Sequence, residues 1–175
     1  MALKKKDSHS AYYPRFIERF PESRSASPRD FIFFVSRRGT HGYMSNWLIE
    51  ENGHFGEGGF MFLTSEHEYV FLKALTFGDL RVMKAVLRTV DPAKVKRLGL
   101  EVSPFREDVW RKRRYACMYQ AVYNKFSQSD QLAKLLLRTG NKYLIEAAQY
   151  DQIFSIVLWE WAQGKSKGCK VDVHL

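Results

Sequence analysis

A carboxylate and an amine lie seven positions apart in one helical stretch of the sequence, and both groups are suited to acid–base or nucleophilic chemistry. Glu66, Tyr69 and Lys73 fall on one face of the helix that Ser65 opens. The surrounding residues are strongly apolar, so the two charges must be paired, hydrogen-bonded or directed at a pocket. The spacing alone is equally compatible with an ordinary ion pair on a half-exposed helix.

A second carboxylate, Asp151, lies between Tyr150 and an apolar run that begins at Ile153. This setting predicts burial, and it is also typical of a turn or capping residue. Asp151 therefore joins Glu66 and Lys73 as a candidate for chemistry only if the fold brings the three together.

Other common sites are absent from the sequence. The glycines between Gly53 and Gly59 are not followed by Gly-Lys-Ser/Thr and precede a strand pattern, so they predict a hairpin turn and not a phosphate-binding loop. No Gly-x-Ser-x-Gly elbow occurs. The two cysteines and the scattered histidines lack metal-ligand spacing, so we expect neither a metal nor a cofactor.

The elements that must position these groups are strands followed by helices. The short apolar runs 31–35 and 60–63 predict two buried strands that could pair with each other. Ser65 and Glu68 form a capping box that opens a helix of about 12 residues. Caps and periodicity predict more helices after Asp79, from Asp91-Pro92 to Gly99, over 109–126 and over 130–137, and a strand over 153–158.

The pattern as a whole predicts an α+β fold: a mostly helical single domain around a small β-sheet. Residues 1–30, with their lysines, serines and prolines, predict a basic, partly ordered N-terminal arm before a domain over 31–175. With 45% hydrophobic and 15% aromatic residues, the 175-residue chain can bury a core, which excludes wholesale disorder.

The chain is basic, with 28 Lys and Arg against 19 Asp and Glu and a net charge of +9. Residues 81–114 hold eleven Lys and Arg and four Asp and Glu. This balance favours nucleic acid, phosphorylated small molecules or an acidic membrane surface. The run from Arg111 to Arg114 spans more than one helical face, so not all four side chains can face solvent. It predicts either a solvated basic face with one stem over the core or a phosphate-binding rim.

No apolar run approaches the ~18–20 residues needed to cross a bilayer, and no signal-peptide pattern follows the first lysines. With few cysteines as well, we expect a reducing, cytoplasmic or nuclear setting, no membrane association and a monomer.

Several spaced motifs resemble those of the NADAR, or YbiA-like, family. Thr64-Ser65-Glu66-His67 followed by Lys73-Ala74 is similar to the family's Thr-Ser-Glu-His…Lys-Ala signature, and Ser45-Asn46-Trp47 is similar to its Ser-Asn-aromatic motif. The resemblance extends over about residues 31–157. Further matching positions are Lys96-Arg97-Leu98-Gly99, Trp110, Arg114-Tyr115, Met118, Lys125-Phe126-Ser127-Gln128, Thr139-Gly140 and Tyr150-Asp151.

The resemblance implies a YbiA-like fold and cleavage of N-glycosidic bonds between ribose C1 and a nitrogen. Family substrates include phosphorylated riboflavin-pathway intermediates and ADP-ribose attached to guanine in nucleic acid. The resemblance implies Glu66, Lys73 and Asp151 as catalytic residues, with carboxylates serving an oxocarbenium-like transition state and Lys73 binding substrate or attacking C1 to give an imine. The implied substrate-binding residues are Ser45, Asn46, Trp47, Tyr69, Trp110, Arg114 and Phe154.

The sequence departs from the family pattern after Asp151. Phe154 stands where the family usually has Trp, and Ser155 and Val157 stand where it has glycines. We therefore expect removal of ADP-ribose from guanine in nucleic acid as the activity. The alternatives are hydrolysis of a phosphorylated riboflavin intermediate and a non-catalytic module that binds ADP-ribose or a nucleotide.

Overall fold

The structure is a computed structural model that describes residues 27–146, and every structural statement below concerns that part of the chain. The N-terminal arm predicted over 1–30 lies almost wholly outside the described residues, and the strand predicted over 153–158 lies entirely outside them. The chain divides into two compact units, one formed by Asn46–Arg138 and the other by parts of Met1–Ser45 and Thr139–Leu175.

Both units contain β-structure, and the Asn46–Arg138 unit holds the helices. The strands are β1 (Phe31–Phe34), β2 (His54–Phe55), β3 (Met61–Phe62) and β4 (Tyr143–Glu146). The helices are α1 (Ser65–Phe77), α2 (Leu80–Arg88), α3 (Pro92–Leu100), α4 (Glu107–Ser127) and α5 (Asp130–Leu137). The predicted mostly helical α+β fold is confirmed. None of the helices in residues 27–146 is both long and apolar enough to span a bilayer.

The first three helices begin at residues whose side chains accept a backbone hydrogen bond. Asp79 accepts from the N–H of Val82 at 3.0 Å and Asp91 from that of Ala93 at 2.9 Å, which confirms both predicted helix starts. The predicted cap of α1 is wrong by one residue. Thr64, not Ser65, accepts from the N–H of His67, because Glu68 turns into the core instead of back toward the helix start.

The four strands form two separate two-stranded sheets. Strand β1 pairs in parallel with β4, from Phe31 opposite Tyr143 to Phe34 opposite Glu146. Strands β2 and β3 pair antiparallel across the predicted glycine hairpin, in which Gly58 and Gly59 have positive φ angles of 66° and 74°. The predicted pairing of 60–63 with 31–35 is therefore wrong, because the glycine turn lets 61–62 pair with a strand only a few residues away.

Helix α1 is the central element of the Asn46–Arg138 unit and packs against α2, α3 and α4. Val70, Phe71 and Ala74 of α1 are buried against valines of α2 and α3 and against Leu98. A Cβ atom at Gly99 would lie 3.1 Å from Cγ2 of Val70, so glycine is what allows α3 to approach α1 this closely. With neighbours on three sides, α1 keeps one half-buried face, which carries Glu66, Tyr69 and Lys73.

Candidate active site

The first turn of α1 is anchored by two members of the Thr64-Ser65-Glu66-His67 motif. The hydroxyl oxygen of Thr64 lies 2.7 Å from Nδ1 of His67, and Nε2 of the same ring lies 3.0 Å from the carbonyl oxygen of Thr89. Burial lowers the pKa of His67, so the ring is neutral, donates from Nε2 to Thr89 and accepts at Nδ1 from the hydroxyl. The motif thus ties the start of α1 to the segment after α2.

The other two members of the motif present polar atoms next to the Asn46 segment. The backbone N–H of Glu66 donates to the carbonyl oxygen of Asn46 at 3.1 Å, and the Glu66 side chain is half-buried. Within the described chain, Oδ1 of Asn46 and Oγ of Ser65 are buried without a hydrogen-bond partner. Buried polar atoms are nearly always hydrogen-bonded, so these two oxygens are exceptions within the described residues.

Lys73 lies two turns farther along the same face of α1. Its Nζ donates to the carbonyl oxygen of Gly99 at 2.7 Å and lies 4.4 Å from the ring centre of Phe105 and 5.7 Å from that of Trp110. No carboxylate of residues 27–146 forms an ion pair with it. Burial lowers the pKa of Lys73, and the charge of Glu107 opposes this only in part. The simple ion-pair interpretation of the 66–73 spacing therefore does not describe this lysine.

Aromatic rings form the wall beside Lys73. The ring of Trp110 lies 5.3 Å from that of Tyr69 and 6.4 Å from that of Phe77. Trp110 is only 5% exposed, whereas Tyr69 is half-buried. Trp110 therefore serves mainly as packing behind the face, and Tyr69 is the ring that a ligand can reach more easily.

Arg114 follows Trp110 by one turn of α4. That helix runs antiparallel to α1, because Trp110 contacts Phe77 near the end of α1 and Asn124 donates to Glu68 near its start. The Arg114 side chain is 18% exposed, with Nη1 3.6 Å from Glu107. Its Nε is buried without a hydrogen-bond partner within the described residues. The prediction that Arg111–Arg114 cannot all face solvent is confirmed, since Arg114 is the one that turns inward.

The remaining predicted site residues divide into three groups. Trp47 belongs to the same unit as α1, and its ring centre lies 5.8 Å from Nζ of Lys96. Ser45 is buried in the other compact unit, where its N–H donates to the carbonyl oxygen of Gly42 at 3.1 Å. Asp151 and Phe154 lie outside the described residues. The structure therefore brings Glu66, Tyr69 and Lys73 together on one helix, with Asn46 and Trp110 in contact with that helix.

Sequence reasoning missed a buried charge network behind α1. In the His54 ring, Nδ1 lies 3.0 Å from a carboxylate oxygen of Glu50 and Nε2 lies 2.9 Å from one of Glu68. All three side chains are at least 94% buried. Burial alone would lower the pKa of His54, but its bonds to the two carboxylates raise it to about 9. Asn124 donates to the same Glu68 carboxylate at 2.8 Å. His54 is thus an imidazolium held between two carboxylates.

This network is structural and not a metal centre. Within residues 27–146, no group of three or more His, Cys, Asp or Glu side chains is arranged to hold a metal ion. Both ring nitrogens of His54 are engaged by carboxylates, which leaves neither available as a ligand. A Cβ atom at Gly56 would collide with the Glu68 carboxylate. The one available signal in the sequence was the position of Glu68 on the opposite side of α1 from Glu66, among apolar residues.

Comparison with known proteins first defines the fold. The chain resembles the NMR structure of the Escherichia coli protein YbiA with a TM-score of 0.64, over 83% of this chain and 89% of that chain, at 24% identity. The class is therefore that of YbiA-like α+β proteins. A family model, the NADAR domain, matches residues 32–169. This chain belongs to the NADAR family.

Two relatives carry informative names. The chain is 35% identical over 97 residues to an N-glycosidase of Acanthamoeba polyphaga mimivirus, which is 55% of this chain and 57% of that protein. It is 32% identical over 120 residues to a riboflavin biosynthesis protein of Vibrio vulnificus, which is 69% of this chain and 31% of that protein. The chain thus spans about half or less of the length of these curated relatives.

Proposed function

We propose that this protein is an N-glycosidase that hydrolyses the bond between ribose C1 and a base nitrogen, with ADP-ribose on guanine in nucleic acid as its substrate. Membership of the NADAR family and the name of the mimivirus relative support the reaction class. The observation that carries the proposal is the face of α1, where a half-buried carboxylate and a lysine of lowered pKa lie two turns apart.

In the proposed reaction, the C1–N bond breaks and its electron pair leaves with the base. Positive charge develops on C1 and the ring oxygen of the ribose, and the Glu66 carboxylate stabilises it. Asp151 protonates the leaving nitrogen or activates the water that adds to C1. If Asp151 protonates the base, it takes a proton back from the added water; if it takes a proton from the water, it passes that proton to the departed base. Both carboxylates therefore end the cycle in their starting protonation states.

Lys73 gives this site a second possible route. A lowered pKa increases the fraction of neutral amine near neutral pH, and only the neutral amine can attack C1. Nζ bonds to C1 as the bond from C1 to the base breaks and its electron pair leaves with the base. The sugar ring then opens, with the C1–O electron pair going to the ring oxygen, to give an imine that water hydrolyses to release ADP-ribose and the free amine. If Lys73 remains an ammonium, it instead holds a ribose hydroxyl or a phosphate oxygen.

Polar atoms around the helix face are suited to binding the rest of the substrate. Oδ1 of Asn46 and Oγ of Ser65 are buried acceptors beside Glu66, and Nε of Arg114 is a buried donor suited to a phosphate oxygen. Tyr69 and Trp47 offer rings on which a base can stack. Ser45, Trp110 and Phe154 complete the proposed binding set.

The substrate assignment depends on charge. The net charge of +9, concentrated in residues 81–114, favours a polynucleotide over a single small anion. The name of the Vibrio relative favours the second candidate, a phosphorylated intermediate of riboflavin synthesis. The changed residues at 154–157 keep a third candidate, a module that binds ADP-ribose without cleaving it.

Turnover of two substrates by the full chain tests these candidates side by side. We expect release of ADP-ribose from a modified guanine oligonucleotide and little action on the phosphorylated pyrimidine intermediate. Glu66→Gln should slow release by about 100-fold or more, while Glu51→Gln, a change at an exposed glutamate, should not. Inertness toward both substrates would refute the enzymatic proposal, and the reverse preference would establish the riboflavin alternative.

A further inference from the structure

We propose that the outer face of α4 binds a single-stranded polynucleotide on a ladder of three tyrosines, Tyr115, Tyr119 and Tyr123. This inference rests on the proposed function, which supplies a polynucleotide as the substrate. It adds the surface of the protein that holds the strand. The surface itself is defined by exposure, ring geometry and charge, independently of the reaction.

The three tyrosines lie at intervals of four residues and therefore form one row along the helix. Their exposed fractions are 43%, 43% and 49%. The rings of Tyr119 and Tyr123 are nearly parallel, with 6.1 Å between centres and 14° between planes. The solvent face of a helix is usually charged or polar. A row of half-exposed tyrosines, two of them with nearly parallel rings, is instead suited to stacking against flat groups.

The opposite face of α4 already performs the packing role of this helix. Trp110, Cys117 and Ala121 are buried there, and Asn124 and Gln120 reach the Glu68 carboxylate. The tyrosine ladder is thus not needed to attach α4 to α1. Packing of α4 against α1 therefore does not explain why these three rings are exposed.

The positive charge of α4 beside the tyrosine ladder favours a polyanion as its partner. Between residues 109 and 127 the sequence has five Lys or Arg and no Asp or Glu, and three of the five, Arg111, Lys112 and Arg113, are exposed. Arg111 and Lys112 are exposed and lie one turn before Tyr115, and the guanidinium of Arg114 lies 5.3 Å from the Tyr115 ring centre. Rings on which bases stack, led by cations that meet phosphates, are the combination by which proteins hold single strands.

The same charge argues against self-association through this face. Two copies placed ladder to ladder would bring the exposed Arg111 and Lys112 of one copy near those of the other, without acidic partners between residues 109 and 127. The acidic residues at the start of α4 already face cations, with Asp108 2.7 Å from Arg106 and Glu107 3.6 Å from Arg114. A flexible polyanion with flat bases satisfies both the rings and the charges.

Fluorescence anisotropy with a labelled, unmodified single-stranded oligonucleotide tests the proposal on the full chain. Tyr119→Leu/Tyr123→Leu keeps apolar side chains but removes the rings, and we expect binding to weaken about 20-fold or more. The matched Tyr119→Phe/Tyr123→Phe variant keeps the rings and should bind within about threefold of wild type. Both variants should unfold at the wild-type temperature, because the residues are exposed.

A second variant tests the cations. Arg111→Gln/Lys112→Gln should reduce the slope of log affinity against log salt by about 1.4, which corresponds to two lost phosphate contacts on a single strand. Equal binding by the Leu and wild-type chains overturns the proposal. So does capture of anionic vesicles in preference to the strand, or a dimer that the Leu variant disrupts when the strand does not bind.

Failure of this proposal is distinguishable from failure of the proposed function. ADP-ribosylated guanosine has no strand to lie on the ladder, so the Leu variant should cleave it at the wild-type rate. A chain that binds the strand through the tyrosines but cleaves neither substrate refutes the glycosidase and leaves the ladder. If the Leu variant cleaves the modified guanosine and the modified oligonucleotide both at the wild-type rates, the ladder is refuted and the glycosidase proposal stands.

Discussion

Two glutamates of α1, only two positions apart, have opposite surroundings. Glu68 is fully buried, faces His54 at 2.9 Å and accepts from Asn124 at 2.8 Å. Glu66 is half-buried beside the Asn46 segment. Two steps of 100° along a helix turn a side chain to the far side, so neighbours in sequence take different roles. Glu68 holds the fold together, and Glu66 is the carboxylate we assign to chemistry.

Because the surroundings differ, replacing each glutamate by glutamine should lower the free energy of unfolding by different amounts. Glu68→Gln removes one charge of a buried pair and should lower the free energy of unfolding by about 3 kcal/mol. Glu66→Gln should change it by no more than about 0.5 kcal/mol. Urea unfolding of both variants and wild type measures the difference. Equal stability of the two variants would mean that the network behind α1 does not stabilise the protein.

The proposed imine at Lys73 can be tested separately by chemical trapping. If the neutral amine attacks C1, borohydride added during turnover should reduce the imine and leave the sugar covalently attached to this lysine. Mass spectrometry of the trapped chain should show the adduct for wild type and for Lys84→Arg, a change at an exposed lysine. Lys73→Arg keeps the charge but cannot form the imine and should show none. An unmodified wild-type chain under turnover would restrict Lys73 to binding.

For site residues, the sequence supported predictions only where a motif could be recognised. Glu66 and Lys73 stay predictions, made from their spacing and from resemblance to a family signature. The role of Glu68 was not, because its partner His54 lies 14 residues away in a hairpin. The capping-box pattern also offered Glu68 a local partner, and tertiary pairing with His54 prevailed. Charge pairs of this kind depend on the fold and leave no fixed spacing in one sequence.

At the scale of the elements, the close contact between α1 and α3 fixes the position of the Lys73 amine. The Gly99 carbonyl accepts from Nζ of Lys73 at 2.7 Å, and a Cβ at Gly99 would lie 3.1 Å from Val70. Gly99→Ala should therefore push α3 away from α1 and lower stability by about 1–2 kcal/mol. Val70→Ala makes room for the added methyl group.

A double-mutant cycle measures this contact. Gly99→Ala should cost less in the Val70→Ala background than in wild type, with a coupling of at least about 0.5 kcal/mol. Additive effects would show that the tight approach of the two helices is not what glycine provides at this position.

Element prediction succeeded where local chemistry decides and failed where distant pairing does. Asp79 and Asp91 cap helices as predicted because a cap and its N–H donor are only a few residues apart. The glycine hairpin was predicted for the same reason. The parallel partner of β1, Tyr143–Glu146, is more than 100 residues away and was not predicted as a strand. Its short run of mixed polarity has no strong alternation.

Across the described chain, two buried histidines should set the pH dependence of stability. The pKa of His54 is raised from 6.5 to about 9, so its contribution is complete below pH 6.5 and is lost as pH rises through 9. The pKa of His67 is lowered from 6.5, so the chain loses stability as pH falls below that value. Stability should therefore be greatest near pH 6.5.

Unfolding at a series of pH values tests this prediction. Wild type should lose about 3 kcal/mol between pH 6.5 and 9. His54→Gln should be less stable at pH 6.5 and nearly independent of pH over that range. A wild-type profile as flat as that of the variant would contradict an imidazolium held between Glu50 and Glu68.

The arrangement of Glu66 and Lys73 around one pentose is tested most directly by a crystal structure of the full chain with ADP-ribose. We expect the Glu66 carboxylate and Nζ of Lys73 both to lie about 3 Å from atoms of the terminal ribose, the one that carries no adenine, near its C1 carbon. A pentose bound elsewhere, with neither group in contact with it, would contradict the proposed site.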